Sequence, residues 1–294
     1  MKAAHPHPDA QQATSPSLWW DGLDRDAVEP PLETDTIADI AIVGGGYTGL
    51  WTAYFLKQIQ PDVDVVLVEA KQIGHGASGR NGGWLMGTLE GCDAFADNNG
   101  ELPLTARQQL TQLVSRAGEI LAKESIDCDF HHGGCIMAAA RHGAQIARAQ
   151  SMLAGFHGLG FGEDDYHWLT PSELSDRIQV ANPGGAVFTP HVARIQPAKL
   201  VTGLARVVKA LGVRVFEHTR AHAIQPGVIR CDCGSIQAGQ IVIATEGYSE
   251  AGNPLHRRLI PVQTGMVSTE PLSDAQWSGL GFANNETCAD CTRA

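Results

Sequence analysis

The segment Ala38–Val43, ADIAIV, runs straight into GGGYTG at Gly44–Gly49, and this junction restricts the fold more tightly than anything else in the chain. A short β-branched apolar run closed abruptly by glycines is the pattern of a strand buried on both faces. A helix is expected to begin at the glycines. Leu50, Ala53, Leu56 and Ile59 recur along its inner side, and Pro61-Asp62 breaks the pattern. Val63–Ala70, VDVVLVEA, is a second β-branched run. Strand, turn, helix, turn and strand together make a βαβ unit.

Within that unit, Gly44, Gly46 and Gly49 form a G-x-G-x-x-G where strand passes into helix. The first glycine permits the tight turn, the second lets backbone approach a pyrophosphate, and the third lets helix and strand pack closely. The helix N-terminus adds free N–H groups and partial positive charge. Glu69 ends the second strand about 20 residues further on, where a carboxylate accepts hydrogen bonds from an adenosine ribose. An acid there repels a 2′-phosphate, which disfavours NADP.

Composition bounds the alternatives. The 294 residues are enough for about two domains. Hydrophobic residues make up 43% and charged residues 18%, which excludes wholesale disorder, collagen-like repeats and coiled coil. Lys and Arg number 21 against 32 Asp and Glu, a net charge of −11 that repels phosphate backbones and argues against nucleic acid as a partner. No run approaches the ~20 apolar residues that span a bilayer, and the start lacks the apolar stretch of a signal peptide. A cytoplasmic protein without a membrane partner is expected. The odd count of 7 cysteines, without disulfide-like spacing, fits reduced thiols.

Residues 1–17 are polar and Pro-dotted, as in a disordered arm. Trp19 and Trp20 follow, expected to cover apolar surface on the folded body. Amphipathic helices are predicted from Pro103 to about Ile126, where Leu104, Leu110, Leu113, Val114, Ala117 and Leu121 fall at helical steps, over Gln145–Phe156, and over Pro197–Gly212. The intervening stretches to His191 read as short strands and loops of a separate layer. VRVFEH follows the last helix, and IVIATEGY reads as one more buried strand ending in a turn. The α/β unit is therefore interrupted by an insertion and then resumed.

A second Gly-rich stretch, GHGASGRNGG at Gly74–Gly83, carries Ser78, Arg80 and Asn81 as polar members. Such a loop can supply N–H donors and a guanidinium along an extended diphosphate. Together, DIAIVGGGYTGLWTAYFLK, VVLVEA, IGHGASGRNGG, IVIATEGY and IPVQTGMVSTEPL resemble the D-amino-acid-oxidase-like family of FAD-dependent oxidoreductases. Within it, the likeness is to the branch of gamma-glutamylputrescine oxidases and amine or N-methyl amino-acid oxidases.

The resemblance implies an α/β fold with a Rossmann-like FAD-binding domain from segments 18–90 and 192–252. An inserted α+β substrate domain, 91–191 and 253–294, would roof the flavin. It places Gly44, Gly46, Tyr47, Thr48 and Gly49 at the pyrophosphate, and Glu69 with Ala70 at the adenosine ribose. Gly76, Ser78, Arg80, Asn81 and Gly82 would run along the diphosphate, ribityl chain and flavin ring, with Ala221 at the adenine and Ala244 and Thr245 near the cofactor. The implied activity oxidises the C–N bond of an amine or amino acid by hydride transfer to flavin, giving an imine that hydrolyses. Oxygen or another acceptor takes the electrons, and no catalytic acid or base is assigned.

Glu246 stands where the family usually has Asn, setting an extra carboxylate beside the diphosphate. Relatives also continue beyond the closing ETCADCTRA and tend to read Phe-Ala-Asp-Gly where this chain has Cys288-Ala289-Asp290-Cys291, so a truncated or frameshifted product with an incomplete substrate sheet is expected. A non-catalytic remnant and an NAD-dependent dehydrogenase are the alternatives. Cys231-x-Cys233 and Cys288-x-x-Cys291 are too far apart in sequence, and too bare of a zinc-ribbon turn, to be read as a metal site. His131-His132 read as a solvated turn, since adjacent strand residues face opposite sides.

Overall fold

The computed structural model describes residues 17–23, 28–88, 91–248, 254–255, 257–260, 262, 264–282 and 284–291. The expected N-terminal arm, apart from Ser17, lies outside them. In chain order the elements are β1 (Thr36–Val43), α1 (Tyr47–Ile59), β2 (Val65–Val68), β3 (Trp84–Met86), α2 (Leu104–Lys123), β4 (Cys135–Ala138), α3 (Gly143–Gly158), β5 (His167–Leu169) and α4 (Pro171–Arg177). They continue with β6 (Ala186–Thr189), β7 (Val192–Arg194), α5 (Pro197–Ala210), β8 (Arg214–Phe216), β9 (Ala221–Gln225), β10 (Val228–Cys231), β11 (Ser235–Ile243), α6 (Asp274–Leu280) and β12 (Thr287–Asp290). The α/β class expected from the sequence is the one observed.

Two compact units share the chain. Against expected boundaries at 90, 192 and 252, they divide after Gly82, Ile195 and Met266, and Ile126–Cys128 joins the first. That short piece is held by Gln196 N–H, which donates to Cys128 O at 2.8 Å, and by Ile126, which fills the space beside Gly203.

Among the described residues, the first unit is built on a six-stranded sheet in the order β8-β2-β1-β11-β10-β9. The four strands from β8 to β11 run parallel, with Ile42 opposite both Leu67 and Val242, and β9 and β10 add an antiparallel hairpin. Every residue of β2 is buried, as a strand covered on both faces requires. IVIATEGY is only partly the buried strand expected: β11 starts earlier, at Ser235, and its residues Ile241–Ile243 are half-buried. Ile241 and Ile243 pack on a core that includes Leu32, Val66, Ile229 and Ile236.

Helix α1 corrects the three-residue reading. Leu50 and Ala53 are fully buried, but Ile59 is 82% exposed and Tyr54 takes the inner position. Nine residues at about 100° each carry Ile59 roughly half a turn away from Leu50. Near the helix end, the buried Lys57 ammonium donates to Pro61 O and, at 3.0 Å, to Val63 O, which holds the turn into β2.

The second unit carries the four-stranded sheet β12-β4-β6-β5 and the two-stranded ribbon β3-β7. Residues 287–290, in the segment read as the chain's departure from its relatives, form the edge strand β12, parallel to β4. In α2 the buried positions are Val114 and Leu121, whereas Leu104 and Leu113, expected on the inner face, are exposed. Helix α4 was not foreseen, although its signal is present: Thr170 N–H donates to Glu173 Oε2 at 2.7 Å, and Glu173 N–H donates back to Thr170 Oγ1 at 3.3 Å. This reciprocal pair is a capping box readable from T-P-S-E.

Candidate functional site

The carboxyl ends of β1, β2 and β11 meet at one edge of the first unit's sheet. Gly44 N–H donates to Val68 O, and Ala244 N–H donates to Val43 O, both at 2.8 Å. From β1 the chain leaves through α1 to β2 on one side, while β11 lies on the other. A crevice outside the strand ends is the general ligand position in open α/β sheets where connections diverge this way. A groove of ≈ 460 Å³ lies there.

Glycine geometry shapes its floor. Gly44 has φ +117°, and a Cβ on it would stand 2.3 Å from Ala244 O. Gly46 has an ordinary φ of −91°, so its lack of a side chain concerns space: a Cβ there would lie 2.8 Å from Ser78 Oγ. That hydroxyl accepts the Tyr47 N–H at 2.9 Å, serving the helix start that a glycine N-cap cannot. Among the described residues, no hydrogen bond engages the N–H of Gly46 or Thr48. The turn thus keeps donors available for an anion.

Glu69 stands at the end of β2. Its Oε2 accepts Gly45 N–H at 2.8 Å and its Oε1 accepts Lys71 N–H at 2.9 Å. A carboxylate offers about four acceptor sites, so Glu69 can accept a further donor beside these. Burial pushes the Glu69 carboxyl above its ordinary range, the backbone N–H groups of Lys71 and Gly45 draw it back, and the Glu217 carboxylate pushes it further up.

The second Gly-rich loop forms another wall. Gly74 N–H donates to Gly45 O at 3.0 Å and ties it to the first turn. Trp20 Nε1–H donates to Gly79 O at 3.1 Å and Trp19 Nε1–H to Asn81 O at 2.8 Å, so the paired indoles brace this loop, with Trp20 buried as expected. Arg80 Nε–H donates to His75 O at 2.7 Å. Tyr47, whose hydroxyl donates to Pro197 O at 3.0 Å, is pushed well above the ordinary phenol range by burial.

Of the residues singled out from the sequence, Gly44, Gly46, Tyr47, Thr48, Glu69, Ala70, Gly76, Ser78, Arg80, Ala221, Ala244 and Thr245 line the groove. Gly49, Asn81 and Gly82 lie outside its lining. Gly49 instead brings α1 against the turn, since a Cβ there would meet Gly44 O at 2.0 Å. Asn81 turns its amide to Ser78 O at 2.8 Å. At Gly82 an added Cβ would meet nothing within 4 Å. The lining also includes Lys71, His75, Arg220 and Tyr248, which the sequence reading did not pick out. Lys71 follows Glu69-Ala70 directly and Arg220 precedes Ala221, but no motif distinguishes either. Glu246 lines the groove too, with its Oε2 accepting Gly247 N–H at 2.6 Å.

The other constellations lie outside the groove lining. Cys231 and Cys233 belong to the first unit, Cys288 and Cys291 to the second. Burial pushes the Cys231 and Cys288 thiols up to about 11, so both are protonated at neutral pH. No group of metal-ligating side chains occurs among the described residues. His131 bridges to Arg194, and the exposed His132 puts Nε2 2.7 Å from Pro190 O. No described helix is long and apolar enough to cross a membrane.

Comparison with known proteins adds a family. Residues 39–293 match the family model "DAO: FAD dependent oxidoreductase". The chain is 29% identical over 270 residues to gamma-glutamylputrescine oxidoreductase of Escherichia coli (strain K12), a match covering 88% of this chain and 61% of that protein. It is 27% identical to glycine oxidase of Bacillus licheniformis, covering 78% of this chain and 60% of that one. Among solved structures, glycine oxidase from Geobacillus kaustophilus superposes with a TM-score of 0.60 at 23% identity, over 76% of this chain and 58% of that one. The L-amino acid deaminase from Proteus myxofaciens does so with a TM-score of 0.61 at 20% identity, over 77% and 49%. The chain therefore spans about 60% of the length of these two curated relatives.

Proposed function

The chain belongs to the DAO family of FAD-dependent oxidoreductases, and from that premise we propose that its first unit holds FAD in the groove at the strand ends, for oxidation of the C–N bond of a small amine or amino acid. One observation carries the reading: a glycine turn with two uncommitted N–H groups, a carboxylate with lone pairs to spare and a second Gly-rich wall all face one groove. These residues fit the group. Gly44, Gly46, Tyr47, Thr48 and Gly49 form the turn that receives the diphosphate, with Ser78 steadying it. Glu69, beside Ala70, accepts the adenosine ribose hydroxyls, and Ala221 faces the adenine. Gly76 and Arg80 form the loop wall toward the flavin ring, with Ala244 and Thr245 also in the lining, while Asn81 supports that loop through Ser78 O.

When bound, FAD supplies the two-electron acceptor for the carbon beside nitrogen, and oxygen or another acceptor takes the electrons onward. This chain's residues bind and orient it. The second unit is the substrate unit in this reading, and a Rossmann-like dinucleotide unit in the cytoplasm completes it.

The visible spectrum of the purified chain after gel filtration tests the proposal. A flavin absorbance that stays with the protein, and bleaches when an amine or amino acid is added without air, is the expected result. Folded but colourless protein that does not take up added FAD overturns it. A nicotinamide-dependent signal would replace FAD with NAD, and retained colour without bleaching would make the chain a non-catalytic remnant.

Glu69 sets a pH dependence. Only its ionised form accepts ribose hydroxyls on both oxygens, so FAD affinity is full above the folded-state pKa and falls as pH drops through it. Because burial raises that pKa, the loss begins at a higher pH than for an ordinary carboxyl. Titrations of FAD between about pH 8 and pH 4 should show this step in the native chain. In Glu69→Gln the step should vanish and neutral-pH affinity should be roughly tenfold weaker. An unchanged affinity and pH profile would remove Glu69 from the site.

A further inference from the structure

The turn after β11 brings to the groove an aromatic ring, Tyr248, the last residue of IVIATEGY, to which the sequence reading gave no role. Tyr248 N–H donates to Thr245 O at 2.9 Å, which closes the turn. Glu246 within it has φ 47°, a left-handed conformation rare for a residue with a side chain. The turn lays the Tyr248 ring over Gly76. A Cβ on Gly76 would stand 3.3 Å from Tyr248 Cε2 and 3.8 Å from Cζ, so the ring rests on bare backbone. Tyr248 nonetheless remains 62% exposed while lining the groove. An aromatic side chain gains most when its faces are covered, and this one lines the groove with its ring against a glycine.

We infer that Tyr248 is the aromatic wall of the groove, against which one heteroaromatic ring of a bound dinucleotide stacks. This rests on the reading that the groove takes FAD, and adds a residue and a contact to it. Both the adenine and the isoalloxazine of FAD offer a planar face of the required kind. Stacking would cover the exposed ring and exclude water from that stretch of the groove. It depends on the ring and not on the hydroxyl, so Phe should substitute and Leu should not.

The experiment measures FAD and ADP dissociation constants for the native chain, Tyr248→Phe and Tyr248→Leu, with thermal melts to confirm folding. The exposed position lets both substitutions leave the core alone. Tyr248→Leu is expected to weaken FAD binding about tenfold, as loss of a base–aromatic stack does, and Tyr248→Phe to stay within about twofold of native. If ADP weakens in parallel, the adenine lies on the ring. If FAD alone weakens, the isoalloxazine does. Native-like FAD affinity in Tyr248→Leu overturns the inference and leaves the proposed function standing, and so does a loss in Tyr248→Phe equal to that in Tyr248→Leu. A folded native chain that binds neither ligand overturns both.

Discussion

Gly46→Val should yield a folded chain that leaves gel filtration without flavin, its FAD affinity reduced about 100-fold or more. The backbone itself tolerates the change, because Gly46 has φ −91°. Space does not. The new Cβ would stand 2.8 Å from Ser78 Oγ, the hydroxyl that accepts Tyr47 N–H, and the valine methyls extend further. The Ser78 hydroxyl must turn away from Tyr47 N–H, and the backbone proposed to lie against a diphosphate is covered by methyl groups. Urea unfolding near that of the native chain, together with absent flavin absorbance, is the expected pair of results. A yellow, folded variant would contradict the close-approach argument.

Gly49→Val should act on the fold itself. Its Cβ would stand 2.0 Å from Gly44 O and 3.3 Å from Ile42 Cγ2, and neither the carbonyl nor the buried strand can yield without displacing α1 from β1. A loss of about 3 kcal/mol or more in unfolding free energy is expected, at the upper end of overpacking costs. Urea denaturation measures it, and an unchanged midpoint would refute the packing role. The contrast between neighbouring glycines of one motif is itself informative: Gly46 leaves room at the groove beside Ser78, whereas Gly49 leaves room for the helix.

Much of this was legible because it is local. A β-branched run ending in glycines, an amphipathic segment and a second such run announce strand, helix and strand through backbone sterics and burial alone. Glu69 could be singled out because the length of the βαβ unit returns it to the turn. The misreadings were local too: a strict three-residue step put Ile59 on the inner face of α1, and the T-P-S-E capping box before α4 went unread. Ala221, Ala244 and Thr245 came to the groove only through the family resemblance, and Lys71, His75, Arg220 and Tyr248 were singled out by nothing. Arg220 and Tyr248 lie far along the chain from Gly44, and nothing in their neighbourhood says which strand pairs with β1.

What the sequence determined by itself is the βαβ unit with its glycine turn and its acid, because those depend on steric freedom and spacing within one short stretch. The tertiary structure decided the other wall. Parallel pairing of β11 with β1, and of β8 with β2, carries Thr219–Ala221 and Ala244–Tyr248 to the same edge. Strand order is settled by which apolar faces can be buried together across the whole unit, and local pattern does not encode it.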